Sequence, residues 1–263
     1  MNFKKINFGE NSLFEGNFEI KNFPENVEFY FPKIRKFKNP FVFESKTFSE
    51  IYGRMSLISF DPLLKISGKN ENFEIEILNS RGEKFFEKLQ KSDFKNVENF
   101  KKNSQKISGE IRNLKNEKSQ NLFSKKSTIA DALRIFLEKF KTRTKNLFGI
   151  YGAFSYDFVR LFEDLPTKNS QTETPDFCFF LYDSFLKFDH LKNTARCVLF
   201  RENENFLEKD FAEISQNFSQ KNSEISNFKI TNSAFDFSKN EFINLIEKAR
   251  EFARKGDLFE VVF

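Results

Sequence analysis

The stretch that decides the fold is LFGIYGAFSYDFVRLFEDLP, at residues 147–166. It begins with the apolar character of a strand, in which Gly149 and Gly152 permit a close approach of another backbone or an unusual bend. Asp157 is in position to cap a short amphipathic helix, and Pro166 follows soon after the end of that helix. The stretch therefore predicts a strand that leads directly into a short helix.

More strands are predicted on both sides of this stretch. Downstream, DFCFFLYDSFLKFDHLKNTARCVLF at 176–200 is mostly apolar except around LKNT, which indicates two strands joined as a long hairpin. The only histidine, His190, lies beside that turn and is predicted to be a surface residue. Upstream, alternating or apolar runs predict strands in PFVFES (40–45), MSLISFDPLLKISG (55–68) and NFEIEIL (72–78).

Three helices are predicted from apolar residues at helical spacing. STIADALRIFLEKF at 127–140 has Ser127 or Thr128 available as the N-cap residue, and NENFLEKDFAEISQNF at 203–218 is amphipathic. The third helix starts at Ser238, which is followed three residues later by Glu241 in the spacing of a capping box. Gly256 then predicts its C-terminal end.

The last seven residues, DLFEVVF at 257–263, are rich in residues that favour strands. A strand must pair its backbone groups in a ladder, and an exposed apolar strand promotes aggregation. We therefore expect this segment to belong to a sheet that is completed by a second half absent from this chain.

Together these elements predict an α+β fold, with mainly antiparallel sheets packed as an open sandwich and helices outside. Residues 93–126 are poor in aliphatic side chains and rich in Lys, Asn and Ser, so we expect a loop-rich insertion that is mobile or weakly held. We divide the chain into a first region at 1–230 and the start of a second region at 231–263.

Composition and charge argue against several classes of protein. The formal charge of +5 comes from interleaved basic and acidic residues, as in ENFLEKDF at 204–211, which does not favour nucleic-acid binding. A single His and two distant cysteines, Cys178 and Cys197, give no zinc site and no catalytic triad around another histidine. No apolar run is long enough to span a bilayer and no secretory signal is present, so we expect a cytoplasmic protein.

Three segments resemble component I of anthranilate synthase, a member of the chorismate-utilising enzymes. VFESKTFSEIYGRMS at 42–56 is similar to a family segment in which Glu-Ser is followed, after ten residues, by a second Ser. GAFSYDFVRLFEDLP at 152–166 with PDFCFFLYDSFLKFDH at 175–190 is similar to the central block of the family. KAREFARKGDLFEVVF at 248–263 resembles the entry into the chorismate-binding domain.

The resemblance implies a feedback site for L-tryptophan near the first segment, and it makes Glu44, Ser45 and Ser56 the candidate tryptophan-binding residues. The complete enzyme would convert chorismate and ammonia to anthranilate and pyruvate, with Mg²⁺ as cofactor and a glutamine amidotransferase (component II) supplying ammonia. The catalytic and magnesium-binding residues of the family lie beyond the position of Phe263. No catalytic or metal-binding residue is therefore assigned, and this chain alone should be inactive.

Two other interpretations stay open. The chain could belong to the aminodeoxychorismate synthase subunit of folate synthesis, although the ten-residue serine spacing favours the tryptophan enzyme. It could also be a non-catalytic, truncated or split module that binds an amino acid. The adjacent Glu163 and Asp164 resemble a carboxylate pair, but neighbouring residues on a helix point apart, so we expect both to be structural, like Tyr156 and Asp157.

Overall fold

A computed structural model describes residues 3–8, 11–21, 23, 27–45, 53–111, 127–163, 173–219, 234–258 and 260–261. The chain divides into two compact units, Met1–Ser223 and Glu224–Phe263. The boundary predicted at 230/231 falls within 220–233, outside the described residues.

The described part of the first unit contains twelve strands and four α-helices. The strands are β1 Lys4–Phe8, β2 Asn11–Glu19, β3 Phe41–Phe43, β4 Met55–Ser59, β5 Leu64–Lys69, β6 Asn72–Ile77, β7 Glu98–Lys102, β8 Lys106–Glu110, β9 Gly149–Phe154, β10 Phe177–Tyr182, β11 Ser184–Asp189 and β12 Thr194–Arg201. The helices are α1 Phe31–Ile34, α2 Glu83–Glu87, α3 Ala130–Phe140 and α4 Glu204–Ser219.

The strands form two antiparallel six-stranded sheets, in the orders β1-β2-β12-β11-β4-β3 and β7-β8-β6-β5-β10-β9. One buried core contains residues of both sheets, such as Phe200 of β12 and Ile66 of β5, together with Phe136 of α3. Side chains alternate between faces along a strand, so Leu199 of β12 belongs to a second core that includes Leu207 of α4. The predicted α+β fold, two antiparallel sheets with helices outside, is confirmed.

The predicted hairpin at 176–200 is wrong in one respect, because the segment forms three strands and not two. β10 lies in the second sheet and β11 in the first, so the chain crosses between the sheets at Asp183. Both strands are mostly apolar and contain buried residues, so the sequence pattern gives no sign of the change of sheet.

Part of the predicted insertion at 93–126 is a β-hairpin with a register shift between Glu98 and Lys101. β7 pairs with β8, and β8 also pairs with β6 in the second sheet. Ile107 and Gly109 of β8 are buried, so a single aliphatic side chain marks the inner face of this strand and the alternation is weak. The prediction of a loop is wrong for β7 and β8, and residues 112–126 lie outside the described residues.

Two predicted helix caps are also wrong. Helix α3 forms as predicted, but Ile129 occupies the N-cap position, and the Asp131 carboxylate accepts hydrogen bonds from the Thr128 amide and the Ser127 hydroxyl, both at 3.1 Å. The helix after β9 is a 3₁₀ helix, Tyr156–Leu161, with Ser155 at its N-cap. Several short polar residues lie near each helix start. Sequence spacing alone does not specify which residue occupies the N-cap position.

The Asp157 carboxylate accepts a hydrogen bond from Nε of Arg160 at 3.0 Å and makes no cap. Gly152 behaves as predicted, because a Cβ at this position would lie 2.1 Å from the carbonyl oxygen of Cys178 in β10. A Cβ at Gly149 would meet no atom within 4 Å. Only one of the two glycines in β9 is therefore required by a close approach.

The second unit contains helix α5, Lys239–Lys255. Ser238 and Glu241 form the predicted capping box, and Gly256 ends the helix at φ 80°. None of Asp257, Leu258, Glu260 and Val261 lies in a strand, and the predicted pairing of 257–263 with sequence outside this chain stays a prediction. An extended segment becomes a strand only when it joins a ladder.

Candidate functional site

The three residues predicted to bind tryptophan, Glu44, Ser45 and Ser56, lie together at the end of the β3–β4 pair. Phe43 is paired with Leu57, so the antiparallel register puts Glu44 opposite Ser56. The Ser56 hydroxyl donates a hydrogen bond to Oε1 of Glu44 at 2.8 Å. The Ser45 amide donates to the same oxygen at 3.0 Å and approaches the Ser56 hydroxyl at 3.4 Å.

His190 is a fourth member of this cluster, and sequence reasoning missed it. Its Nε2 lies 2.7 Å from Oγ of Ser56 and 3.8 Å from Oε1 of Glu44. The predicted surface position is wrong, because the side chain is only 12% exposed. The β4–β11 register explains this: Phe188 is paired with Ser56, and the His190 amide then donates to the carbonyl oxygen of Arg54 at 2.8 Å.

An ion pair flanks the cluster. Nη2 of Arg54 lies 3.0 Å from Oδ2 of Asp189, and the Asp189 side chain is 13% exposed. The hydrogen bond from Arg54 lowers the pKa of the Asp189 carboxyl below its usual value. The positive charge of Arg54 is thus directed to Asp189, and Glu44 supplies a separate negative charge at the cluster.

The arrangement does not match a Ser-His-Asp triad. In such a triad the carboxylate binds one imidazole nitrogen while the other nitrogen faces the serine. Here the carboxylate of Glu44 accepts from Ser56 itself, and its nearest contact with His190 is to the same Nε2 that faces Ser56. The cluster therefore presents a carboxylate that is held in place by a hydroxyl and a backbone amide.

A second charged cluster lies where the chain crosses between the sheets. Nε and Nη2 of Arg81 donate to Asp183 at 2.9 and 3.2 Å, and Nη1 of Arg201 lies 3.0 Å from Oδ2 of Asp183. Arg201 also pairs with Asp210 of α4. Burial alone would raise the pKa of Asp183, but the positive charges of Arg201 and Arg81 outweigh burial and hold the pKa below its usual value.

A cavity of about 340 Å³ lies beside this second cluster and is lined by Arg81, Arg201, Phe85 and Phe206 among others. Sequence reasoning gave no sign of the cluster because its members come from four separate segments. Its charged groups are bonded to one another, so we interpret the cluster as structural.

Mg²⁺ is the cofactor expected from the resemblance. In the part of the chain that the structure describes, no set of side chains is suited to bind it. Among those residues, no three His, Cys, Asp or Glu side chains are grouped closely enough to hold a metal ion. No metal-dependent step can therefore be assigned to them. The described helices also include none that is long and apolar enough to cross a membrane.

Comparison with known families gives a direct assignment. The profile of the family described as "chorismate binding enzyme" matches residues 82–263. The match covers more than half of the chain, so the chain belongs to the chorismate binding enzyme family.

Several curated relatives carry the name anthranilate synthase component 1. The protein of Buchnera aphidicola subsp. Rhopalosiphum maidis is 29% identical over 79% of this chain and 42% of its own length. That of subsp. Pemphigus spyrothecae is 30% identical over 86% of this chain and 45% of its own length. That of subsp. Tetraneura caerulescens is 28% identical over 92% of this chain and 50% of its own length. The chain thus spans about half the length of these relatives.

Among solved structures, anthranilate synthase component I from Streptococcus pneumoniae TIGR4 is similar at 19% sequence identity and a TM-score of 0.38. The similarity covers 81% of this chain and 41% of that chain. A TM-score this low supports no inference about the site.

Proposed function

We propose that this chain is the N-terminal portion of anthranilate synthase component I, an enzyme subunit of tryptophan biosynthesis in the cytoplasm. The complete enzyme would convert chorismate and ammonia to anthranilate and pyruvate, with ammonia from a glutamine amidotransferase, component II. Support comes from the family match and from the names of the relatives. Because the relatives are about twice as long, we propose that the catalytic groups and the Mg²⁺ ligands belong to sequence outside this chain.

We propose further that Glu44, Ser45 and Ser56 form part of a feedback site for L-tryptophan. The observation that carries this proposal is the hydrogen-bonded contact of all three residues at one end of the β3–β4 pair. A free amino acid requires an acceptor for its ammonium group and donors for its carboxylate. The Glu44 carboxylate, which accepts hydrogen bonds from the Ser56 hydroxyl and the Ser45 amide, is such an acceptor.

Ligand fluorescence provides a direct test, because the chain contains no Trp residue. Added L-tryptophan would be the only indole in the sample, and its fluorescence anisotropy would rise on binding. Replacement of one partner of a charge-assisted hydrogen bond usually costs about 1.5–3 kcal/mol, so Glu44→Gln should raise the Kd about 10- to 100-fold. Glu208→Gln, at an exposed position on α4, is the matched control and should leave the Kd unchanged.

Saturable binding that Glu44→Gln and Ser56→Ala weaken, but Glu208→Gln does not, would support the site. Binding that all three variants retain at full strength would contradict it, as would a wild-type chain that does not bind L-tryptophan.

The enzymatic part of the proposal needs a separate test. The chain would be co-expressed with the remaining half of a curated relative, and anthranilate would be detected by its fluorescence after addition of chorismate and an ammonium salt. Activity that requires both polypeptides is the expected result. Formation of aminodeoxychorismate in place of anthranilate would assign the chain to the folate branch. In an active assembly, Ser45→Phe should abolish inhibition by L-tryptophan and spare catalysis, because the larger side chain would fill the site.

A further inference from the structure

The contacts around Ser56 determine which groups donate and which accept. Oγ of Ser56 lies 2.8 Å from Oε1 of Glu44, 2.7 Å from Nε2 of His190 and 3.4 Å from the Ser45 amide nitrogen. A serine hydroxyl has one hydrogen to donate and two lone pairs with which to accept. Three contacts therefore fill its capacity, provided that two of the partners are donors.

The identity of two partners is fixed. An ionised carboxylate can only accept, so the Ser56 hydrogen points to Glu44, and a backbone amide can only donate, so Ser45 fills one lone pair. The remaining lone pair faces Nε2 of His190. All three contacts are satisfied only when Nε2 carries a hydrogen and donates it to Ser56.

The opposite tautomer would leave a conflict. If Nε2 were unprotonated, it and Glu44 would both require the single hydrogen of Ser56, and one of the two short contacts would bring two acceptors together. Such a contact is unfavourable at Ser56, which is buried. The His190 side chain is 12% exposed, so water gives little relief.

We propose that His190 is a positioning residue of this site, which donates through Nε2 to Ser56 and thereby directs the Ser56 hydroxyl toward Glu44. The chain of hydrogen bonds runs from His190 through Ser56 to the Glu44 carboxylate and fixes the orientation of that carboxylate. This inference rests on the proposed function only where it concerns tryptophan. In the bound state, His190 would raise the affinity for the ligand ammonium group without touching the ligand.

Three hydrogen bonds hold the segment that carries the imidazole. The His190 amide donates to the carbonyl oxygen of Arg54, just before β4. The adjacent Asp189 is held by the Arg54 guanidinium and also accepts from the Lys192 amide at 3.1 Å. These bonds hold Asp189 and His190 against the end of β4, and the ring itself contacts Ser56.

The tautomer can be read directly, because His190 is the only histidine in the chain. Selective ¹⁵N labelling of histidine gives two ring-nitrogen signals, and long-range ¹H–¹⁵N correlation spectra identify them. With no ligand present and the imidazole neutral, we expect Nε2 to be protonated and Nδ1 to be unprotonated. A hydrogen on Nδ1 would overturn the proposal, and so would ring signals that do not change in Ser56→Ala.

A matched pair of variants tests the effect on the ligand. His190→Gln can present an amide N–H near the position of Nε2, whereas the shorter Asn side chain in His190→Asn cannot reach it. We expect the Kd for L-tryptophan to stay within about twofold in His190→Gln and to rise about tenfold in His190→Asn. Thermal unfolding of both variants serves as the folding control.

Equal loss of affinity in both variants, or no loss in either, would overturn the positioning role. If the wild-type chain does not bind L-tryptophan, the proposed feedback site fails, while the NMR experiment still decides the direction of the hydrogen bonds. The two failures can thus be distinguished.

Discussion

Asp183→Asn tests how the crossover between the two sheets is stabilised. The substitution keeps the size of the side chain and removes its negative charge. Arg201 is 5% exposed and the Asp183 side chain 3% exposed, so the variant leaves a buried guanidinium with a weaker partner. Removal of one partner of a buried ion pair costs about 3–5 kcal/mol.

The structure places the expected effect at the lower end of that range. Arg201 retains its ion pair with Asp210, and Arg81 is 36% exposed, so water can solvate part of its charge. We therefore expect Asp183→Asn to lower the free energy of unfolding by about 3 kcal/mol at pH 7. Urea unfolding followed by circular dichroism measures this quantity.

The control for Asp183→Asn is a substitution of Lys84, which lines the cavity beside the buried cluster. Lys84 pairs with Glu202, but its side chain is 69% exposed. Lys84→Met should therefore leave the urea midpoint almost unchanged. If Asp183→Asn lowers the stability by less than about 1 kcal/mol, or by no more than Lys84→Met, the buried cluster does not stabilise the crossover as we argue.

The pH dependence gives a second measurement of the same effect. The pKa of Asp183 is lowered in the folded protein, so its contribution to stability is present above the pKa of the unfolded chain and is lost as the pH falls through the folded value. The pKa of an Asp side chain in an unfolded chain is about 3.9. The difference in stability between wild type and Asp183→Asn should therefore shrink as the pH falls below about 4. A constant difference down to the acid transition would contradict the assignment.

Other predictions concern glycines and cysteines. Gly152→Ala should destabilise the protein by about 1–3 kcal/mol in urea unfolding, because its Cβ would lie 2.1 Å from a carbonyl oxygen, whereas Gly149→Ala should be neutral or slightly stabilising. With a thiol reagent such as DTNB, half-buried Cys178 should react in the folded protein; burial raises the pKa of the Cys197 thiol to about 12, so Cys197 should react only after unfolding. Gly256→Ala should reduce the helix content measured by circular dichroism, because φ at this position is 80° and alanine disfavours the left-handed region.

Local patterns predicted those elements whose faces differ clearly in polarity. β6 alternates between Phe73 or Ile75 and charged residues, and it is a strand with one buried face. Helix α5 carries both a capping box and a C-terminal glycine, so both of its ends could be located from the sequence. In these segments, the information that determines the element lies within the element and the residues that cap it.

β8 and the crossover at Asp183 could not be predicted in this way. β8 has one buried aliphatic residue, Ile107, and it is a strand because its backbone pairs with β6 and β7. The strands on both sides of Asp183 are mostly apolar, and each has buried residues in its own sheet. Apolar side chains do not specify which sheet a strand joins. The crossover is marked only by the contacts of Asp183 with Arg81 and Arg201, which come from distant segments.

The candidate site was predicted only where the resemblance supplied it. Glu44, Ser45 and Ser56 come from one segment, and an antiparallel pair brings them together. His190 is 134 residues away from Ser56 in the chain, and the pairing of β11 with β4 brings the two together. A lone histidine beside a turn has no local feature that indicates such a partner, so the sequence favoured a surface position.

The crossover and the candidate site are connected by β11, which begins at Ser184, next to Asp183, and ends one residue before His190. The register of β11 is also fixed by its pairs with β4 and β12, independently of Asp183. A domain is usually stable by about 5–15 kcal/mol, so a loss of about 3 kcal/mol leaves most molecules folded. Asp183→Asn should therefore lower the stability without changing the Kd for L-tryptophan or the tautomer of His190. A change in the ring-nitrogen signals of His190 in folded Asp183→Asn would mean that the buried cluster also sets the register of β11.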